Sequence, residues 1–94
     1  MKTEPENSHG HDRMRALLGA MTMLGGGRLS HASRHETQRA LGRSAGTYLA
    51  GDLQAVLAVD GRRAQAARLS RADVVTLERI VDRHGSLIGL EAAA

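Results

Sequence analysis

The stretch SRADVVTLERIVDRHG, residues 70–85, carries the clearest helical pattern in the chain. Ser70 begins it, and Asp73 follows at the spacing at which a hydroxyl and a carboxylate satisfy opposite ends of the first helical turn. Gly85 supplies a stop signal at the other end. The apolar positions recur at the helical interval and are Val74, Leu77, Val81 and His84. This stretch therefore predicts a helix with one buried face.

Two longer segments upstream show the same period. One starts at Asp12, a residue type that caps helices, and stops at the glycines of residues 25–27. Its apolar positions are Met14, Leu17, Leu18, Met21 and Leu24. The other is opened by Ser44 or Thr47 and ends at residues 60–61. Its apolar positions are Leu49, Leu53, Val56 and Leu57. Both patterns predict amphipathic helices.

A shorter helix is predicted between these two segments. Either Ser30 or Ser33 begins it, and Ser33 has Glu36 at the capping spacing. Gly42 closes it. The Ala-rich residues 62–69 are compatible with a short helix or a loop.

Strand-type alternation is missing from the sequence, and turn signals separate the helical periods. We therefore expect an all-α fold, a compact bundle of four to five short helices. The fifth would be a last turn at residues 87–90, capped by Ser86. Residues 1–11 contain the only Pro and almost no large apolar side chain, so they predict a disordered tail before a single helical domain at residues 12–94.

The composition excludes several functional classes. The 94 residues suffice for one domain, and the lack of Phe and Trp leaves a thin aliphatic core. Without Cys there is no disulfide, no thiol catalysis and no Cys-based zinc site, which fits a cytoplasmic protein. The longest uncharged run, residues 16–27, is shorter than the roughly 20 residues of a membrane span. Neither a nucleophile elbow nor a phosphate-binding GxxxxGK[ST] loop occurs, so we expect no enzyme and no cofactor.

Arginine dominates the positive charge, since only Lys2 among 13 basic residues is a lysine. Two blocks stand out. One contains Arg28, Arg34, Arg39 and Arg43, and the other contains Arg62, Arg63, Arg68 and Arg71. The sign of the charge reverses from residue 72 onward. Such blocks indicate either an anionic partner or charges that pair within the fold.

The stretch ETQRALGRSAGTYLAGDL, residues 36–53, resembles the helix-turn-helix modules of bacterial regulators and transposases. In those modules a similar Ala-Leu-Gly-x-Ser sequence spans the turn. The resemblance implies a recognition helix opened by Ser44, Thr47 and Tyr48, with the flanking arginines on DNA phosphates. The candidate nucleic-acid-binding residues, including those of the second arginine block, are Arg34, Arg39, Arg43, Ser44, Thr47, Tyr48, Gln54, Arg62, Arg63 and Arg68. We predict a small regulator of transcription that binds double-stranded DNA.

A second likeness covers residues 69–90, with Val81-Asp82-Arg83-His84-Gly85 at its centre. This segment resembles the end of small alphaproteobacterial cell-cycle regulators with a Trp-repressor-like helix-turn-helix. It implies the same function.

The alternative function is a helical adaptor, chaperone or anti-activator that binds protein instead of DNA. Leu49-Ala50-Gly51-Asp52-Leu53, with Arg63 and Leu87-Ile88 downstream, is similar to flagellar export chaperones. Met14, Met21 and Met23 place adaptable apolar groups on more than one face of the first helix. The thin core also predicts a homodimer in which the first or last helix packs against its twin.

Histidine supplies the remaining candidate chemistry. His31 and His35 are one helical turn apart, and His9 and His11 form a second pair in the tail. A metal site would need three or four converging ligands, so we predict that the protein has no metal site. The alternative is a site in which the tail folds back and both histidine pairs bind one metal ion. His84, at the end of the last long helix, is expected to interact with the helix C-terminus.

Overall fold

The computed structural model describes residues 4–86, with side chains from residue 10 onward. Within that part the chain folds into four helices and contains no strand, as the sequence predicts. They are α1 (Glu4–Leu24), α2 (His31–Arg43), α3 (Tyr48–Arg63) and α4 (Arg71–His84). The predicted fifth turn at residues 87–90 and the first three residues of the predicted tail lie outside the described residues.

Serine caps begin two of the helices. The Ser70 hydroxyl accepts a hydrogen bond from the Asp73 amide at 3.1 Å, which confirms the predicted start of α4. For α2 the sequence left Ser30 and Ser33 open. The structure selects Ser30, whose hydroxyl accepts from the Ser33 amide at 3.0 Å.

Helix α1 begins at Glu4, eight residues before the predicted start at Asp12, so the predicted tail is helical from residue 4. Asp12 is buried inside the helix and serves as a partner for another helix, not as a cap. The glycine stop is confirmed. Gly27 donates to the Thr22 carbonyl and Gly26, at φ 94°, donates to the Met23 carbonyl, which is a Schellman ending.

Helix α3 is longer than predicted, because it continues through Gly61 to Arg63. Both arginines of its last turn are held: Arg62 by an aspartate on α4 and Arg63 by backbone carbonyls. These contacts offset the low helix propensity of glycine at this end. Residues 64–70 form the turn to α4, which settles the ambiguous segment as mostly loop.

The core forms around α3. Helix α3 contacts the three other helices, and so does α1. The buried side chains that α3 contributes are Leu49, Leu53, Val56 and Val59. Ala40 faces them from α2, and Leu77 and Ile80 face them from α4. The predicted apolar faces of α3 and α4 are therefore largely correct.

The predicted apolar face of α1 is rotated relative to the observed one. Leu17 is buried as predicted, but Leu18 and Met21 are each 42% exposed, whereas Ala16, Ala20 and Met23 are buried. Gly19 explains the difference: a Cβ there would stand 2.9 Å from the Val56 side chain, so α1 and α3 touch through small residues. None of the described helices is long and apolar enough to cross a membrane.

Candidate functional site

Four buried aspartates connect the helices, and each binds an arginine from a neighbouring helix. They are Asp12, Asp52, Asp60 and Asp73. A buried carboxylate is costly unless it is paired and hydrogen-bonded, so each of these residues selects its partner helix. Three of the arginines involved, Arg34, Arg43 and Arg62, are predicted nucleic-acid contacts.

The first connection joins α1 to the end of α2. Asp12 accepts from Arg43 Nη2 at 2.7 Å and from the buried Ser44 hydroxyl at 3.2 Å. The hydrogen bond to Asp12, followed by its charge, raises the pKa of Arg43. Arg43 and Ser44 therefore serve the fold at this position, and Ser44 is closed to DNA.

The second connection joins α2 to α3. Arg34 Nε donates to Asp60 at 2.8 Å, and Arg34 Nη2 donates to the Leu29 carbonyl at 3.3 Å. The Leu29 amide also donates to Asp60, at 3.4 Å. One guanidinium and one carboxylate thus fix the loop ahead of α2 as well as the helix.

The third connection joins the end of α3 to the start of α4. Arg62 donates to Asp73 through Nη2 at 2.8 Å and through Nε at 3.1 Å and 3.2 Å to the two carboxylate oxygens. The hydrogen bonds from Arg62 hold the pKa of Asp73 below its ordinary value, against the opposing effect of burial.

This pairing predicts an acid-dependent contribution to stability. Because the pKa of Asp73 is lower in the folded chain, the ionised carboxylate stabilises the fold above the ordinary value of 3.8, and this stabilisation is lost as the pH falls below it. We expect Asp73→Asn to lower the free energy of unfolding at pH 6 and to have a smaller effect at pH 2.5. Urea titrations at both pH values measure the difference. Asp82→Asn, exposed on the same helix, is the control, and an Asp73→Asn effect that is equal at both pH values would contradict the assignment.

A fourth connection is centred on His84, which is fully buried. Its Nε2 lies 2.8 Å from Asp52, and its Nδ1 accepts from Arg13 Nε at 3.3 Å. With Nδ1 as the acceptor, Nε2 carries the proton and donates to Asp52. Arg83 donates to the same carboxylate at 3.0 Å. The sequence placed His84 on the buried face of α4 and predicted an interaction with the helix C-terminus; the ring is buried, and its hydrogen bonds go to α1 and α3.

The remaining predicted contacts on α2, α3 and the turn between them are exposed, and two of them, Thr47 and Tyr48, make contacts within the fold. Tyr48 is exposed but stacks on the His84 ring, with the ring centroids 6.3 Å apart. The Thr47 hydroxyl donates to the Ser44 carbonyl at 2.6 Å. Arg39 and Gln54 are exposed. Tyr48 thus covers the buried hydrogen-bond network of His84. On α3, Gln54 remains a candidate for contacts with DNA bases.

The second arginine block does come together. Arg62, Arg63 and Arg68 line one depression of about 310 Å³ beside Ser70 and Asp73. Two of the three guanidiniums are already engaged there. Arg62 binds Asp73, and Arg63 donates to three backbone carbonyls, those of Gly26, Ala66 and Ala67.

The histidine pairs do not converge in the described part of the chain. His11, His31 and His35 are exposed, and no group of three or more His, Asp or Glu side chains among the described residues could hold a metal ion. The side chain of His9 lies outside that part.

An apolar surface runs along α1 and α4. Val75 is 45% exposed, and it lines an open groove of about 580 Å³ with Leu24, Val81, Glu78, Arg79 and Asp82. We call this set the α1–α4 groove. Met21 lies one turn before Leu24 on α1, so its exposed side chain extends the apolar surface.

Sequence reasoning noted the methionines on more than one face of α1 but also assigned Met21 to the core face, so it did not identify this surface. The signal that could have found it is the run of Ala16, Gly19 and Ala20, a small-residue face that competes with the Leu and Met face. No family model, curated protein or solved structure matches the chain, so its function is inferred from these surfaces.

Proposed function

We propose that this protein is a helical adaptor that binds an amphipathic helix of a partner protein in the α1–α4 groove. The observation that carries the proposal is the exposure of Val75, which lines the groove on α4, together with that of Met21, one helical turn before the lining residue Leu24 on α1. Helix-in-groove recognition uses apolar anchors of this kind, and methionine adapts to differently shaped partners. The cysteine-free composition supports a cytoplasmic location for this activity.

The rim of the groove indicates the charge of the partner. Glu78, Asp82 and Arg79 line it, which leaves one net negative charge, and no ion pair within residues 10–86 occupies any of the three. A partner helix with apolar residues at helical spacing and basic residues beside them fits this rim. The arginine contacts argue against DNA as the partner. Arg34, Arg43 and Arg62 are bound to carboxylates, and these ion pairs connect the helices of the bundle.

Val75→Glu tests the adaptor proposal. The tagged protein is recovered from its native cells with bound protein and DNA, and the same is done with Val75→Glu and with Gln54→Glu, an exposed position on α3. We expect a co-purifying helical protein that Val75→Glu reduces at least tenfold, since the change removes an apolar anchor and forces a carboxylate to be desolvated at the apolar contact, which costs more than about 1.4 kcal/mol. Gln54→Glu should leave it unchanged. A partner that both variants retain equally would refute the groove as the binding site.

DNA binding is the second candidate, and one observation favours it. Four residues connect α2 to α3, and Gly46 in that connection has φ 87°, the short glycine turn of helix-turn-helix modules. Salt-dependent retention on nonspecific duplex DNA, lost in Arg39→Ala, would favour this candidate over the adaptor.

The homodimer predicted from the thin core would use the same apolar surface, because α1 and α4 both expose large apolar side chains there. Sedimentation of the purified wild type and of Val75→Glu measures the oligomeric state. A wild-type dimer that Val75→Glu converts to a monomer would identify a second copy of the chain as the occupant of the groove.

A further inference from the structure

A second surface feature lies between α1 and the start of α2. It is a cavity of about 380 Å³ whose lining includes two arginines, Arg15 and Arg28, and three hydroxyl residues, Thr22, Ser30 and Ser33. None of the residues that line it is acidic. Two arginines therefore line this cavity without a carboxylate among its lining residues, unlike Arg34, Arg43, Arg62 and Arg83, each of which binds an aspartate.

Arg15 is the unusual member of this cavity. Its Nη1 donates to the Ser33 hydroxyl at 3.4 Å, and its Nε is shielded from solvent without an acceptor. A buried donor left unpaired costs roughly 1–3 kcal/mol, and more when the group is charged. Arg63 Nε is also unpaired, but the other nitrogens of that side chain donate to three carbonyls. Among the described residues, Arg15 makes one long hydrogen bond, to the neutral Ser33 hydroxyl, so the guanidinium nitrogens that reach the cavity have no anionic partner of their own.

The chemistry of the cavity selects an oxyanion of more than one charge. One carboxylate is enough for one guanidinium, as Asp60 is for Arg34. In this cavity two arginines and three hydroxyl residues line the same space. Phosphate offers several acceptor oxygens and about two negative charges, and arginine binds it through charge-assisted hydrogen bonds. The amino end of α2 opens at the same place and adds a favourable dipole. The volume lies within the range of small-molecule sites, so a phosphate with a small organic group attached can enter.

We propose that Arg15 and Arg28 bind the phosphate group of a small phosphate monoester in this cavity. The site links α1 to α2 through the ligand, in a position where the protein has no ion pair of its own among the described residues. It is independent of the adaptor function, whose test changes only Val75.

The probes are inorganic phosphate and glycerol phosphate, with glycerol and sodium chloride at matched ionic strength as controls. Proton–nitrogen NMR reports the Arg15 Nε–H signal directly, along with the Ser33 amide. We expect both signals to shift in a saturable manner with glycerol phosphate. Tighter binding of glycerol phosphate than of inorganic phosphate would show that the monoester is the ligand, whereas a response to inorganic phosphate alone would overturn the assignment of a monoester.

Variants separate the site from general basicity. Arg28→Gln changes an exposed loop residue, and Arg15→Gln removes the shielded guanidinium; each should weaken binding at least tenfold. Arg39→Gln, which removes the same charge from the exposed part of α2, should bind as the wild type does. Equal weakening by Arg39→Gln would overturn the proposal, because it would show nonspecific attraction. A response to duplex DNA without a response to glycerol phosphate would also overturn it. Arg15→Lys keeps the charge, and a folded Arg15→Lys that binds as tightly as the wild type would exclude the specific role of the guanidinium.

Discussion

Leu53→Ala is expected to lower the free energy of unfolding by about 2–5 kcal/mol, the usual cost of emptying a fully enclosed leucine site. Leu53 has no exposed surface and lies on α3, the helix around which the core forms. Several of the other core residues have short Ala and Val side chains, which cannot extend into the space that the leucine leaves, and Met23 is the one flexible side chain of the described core. For a domain of this size the loss is a large share of the total stability. Urea denaturation followed by circular dichroism measures it.

Leu18→Ala is the matched control. It removes the same atoms from a helix, but Leu18 is 42% exposed. We expect a change within about 0.5 kcal/mol, as for most surface substitutions. If Leu18→Ala destabilised the protein as much as Leu53→Ala, the observed rotation of α1 would be wrong and the predicted Leu and Met face would be its core face.

Local signals predicted the elements of this fold correctly. A capping serine and a terminating glycine act within one turn of the residues that they affect, so Ser70 and the glycines after Leu24 were readable from the sequence. The start of α1 was not predicted correctly, because Asp12 is not its N-cap. Aspartate is a common N-cap residue, but the Asp12 carboxylate accepts a hydrogen bond from Arg43, which is 31 positions away in the sequence.

The pairing of the arginines could not be read from composition, because the partners are far apart in sequence and meet only when the helices pack. A partial signal existed on the aspartate side. Asp52 and Asp60 stand four residues before and after Val56, so they share the apolar stripe of α3. Asp73 stands four residues before Leu77 on the buried face of α4. An aspartate on an apolar stripe indicates a buried carboxylate that needs a cation, which changes the meaning of the arginine blocks.

The face of α1 was mispredicted for a different reason. Hydrophobic periodicity gives weight to large side chains, whereas close helix packing is decided by how near two backbones can approach. Gly19 lets Val56 reach the α1 backbone, and Ala16 and Ala20 flank it. Leu18 and Met21 are then displaced to the surface, where Met21 adjoins the proposed binding site, while Leu17 and Met23 stay in the core.

Arg43→Ala is expected to destabilise the fold by about 2–3 kcal/mol, more than the substitution of its partner, Asp12→Asn. Removing the arginine leaves the Asp12 carboxylate, 1% exposed, with only the Ser44 hydroxyl as a donor. Breaking a buried pair from one side costs about 3–5 kcal/mol, and we expect less here because the Arg43 side chain is 40% exposed and partly hydrated. Asp12→Asn leaves a guanidinium that water can solvate and an amide oxygen that can still accept, so we expect about 1 kcal/mol.

Arg39→Ala separates this pairing from the general loss of positive charge on α2. Arg39 lies one turn before Arg43, is exposed, and should change the stability by no more than about 0.5 kcal/mol. Urea titrations of all three variants give the comparison. If Arg43→Ala were as mild as Arg39→Ala, the pair with Asp12 would contribute no more than an ordinary surface ion pair. Arg43 would then be available to bind a phosphate, and the main physical objection to the DNA-binding candidate would be removed.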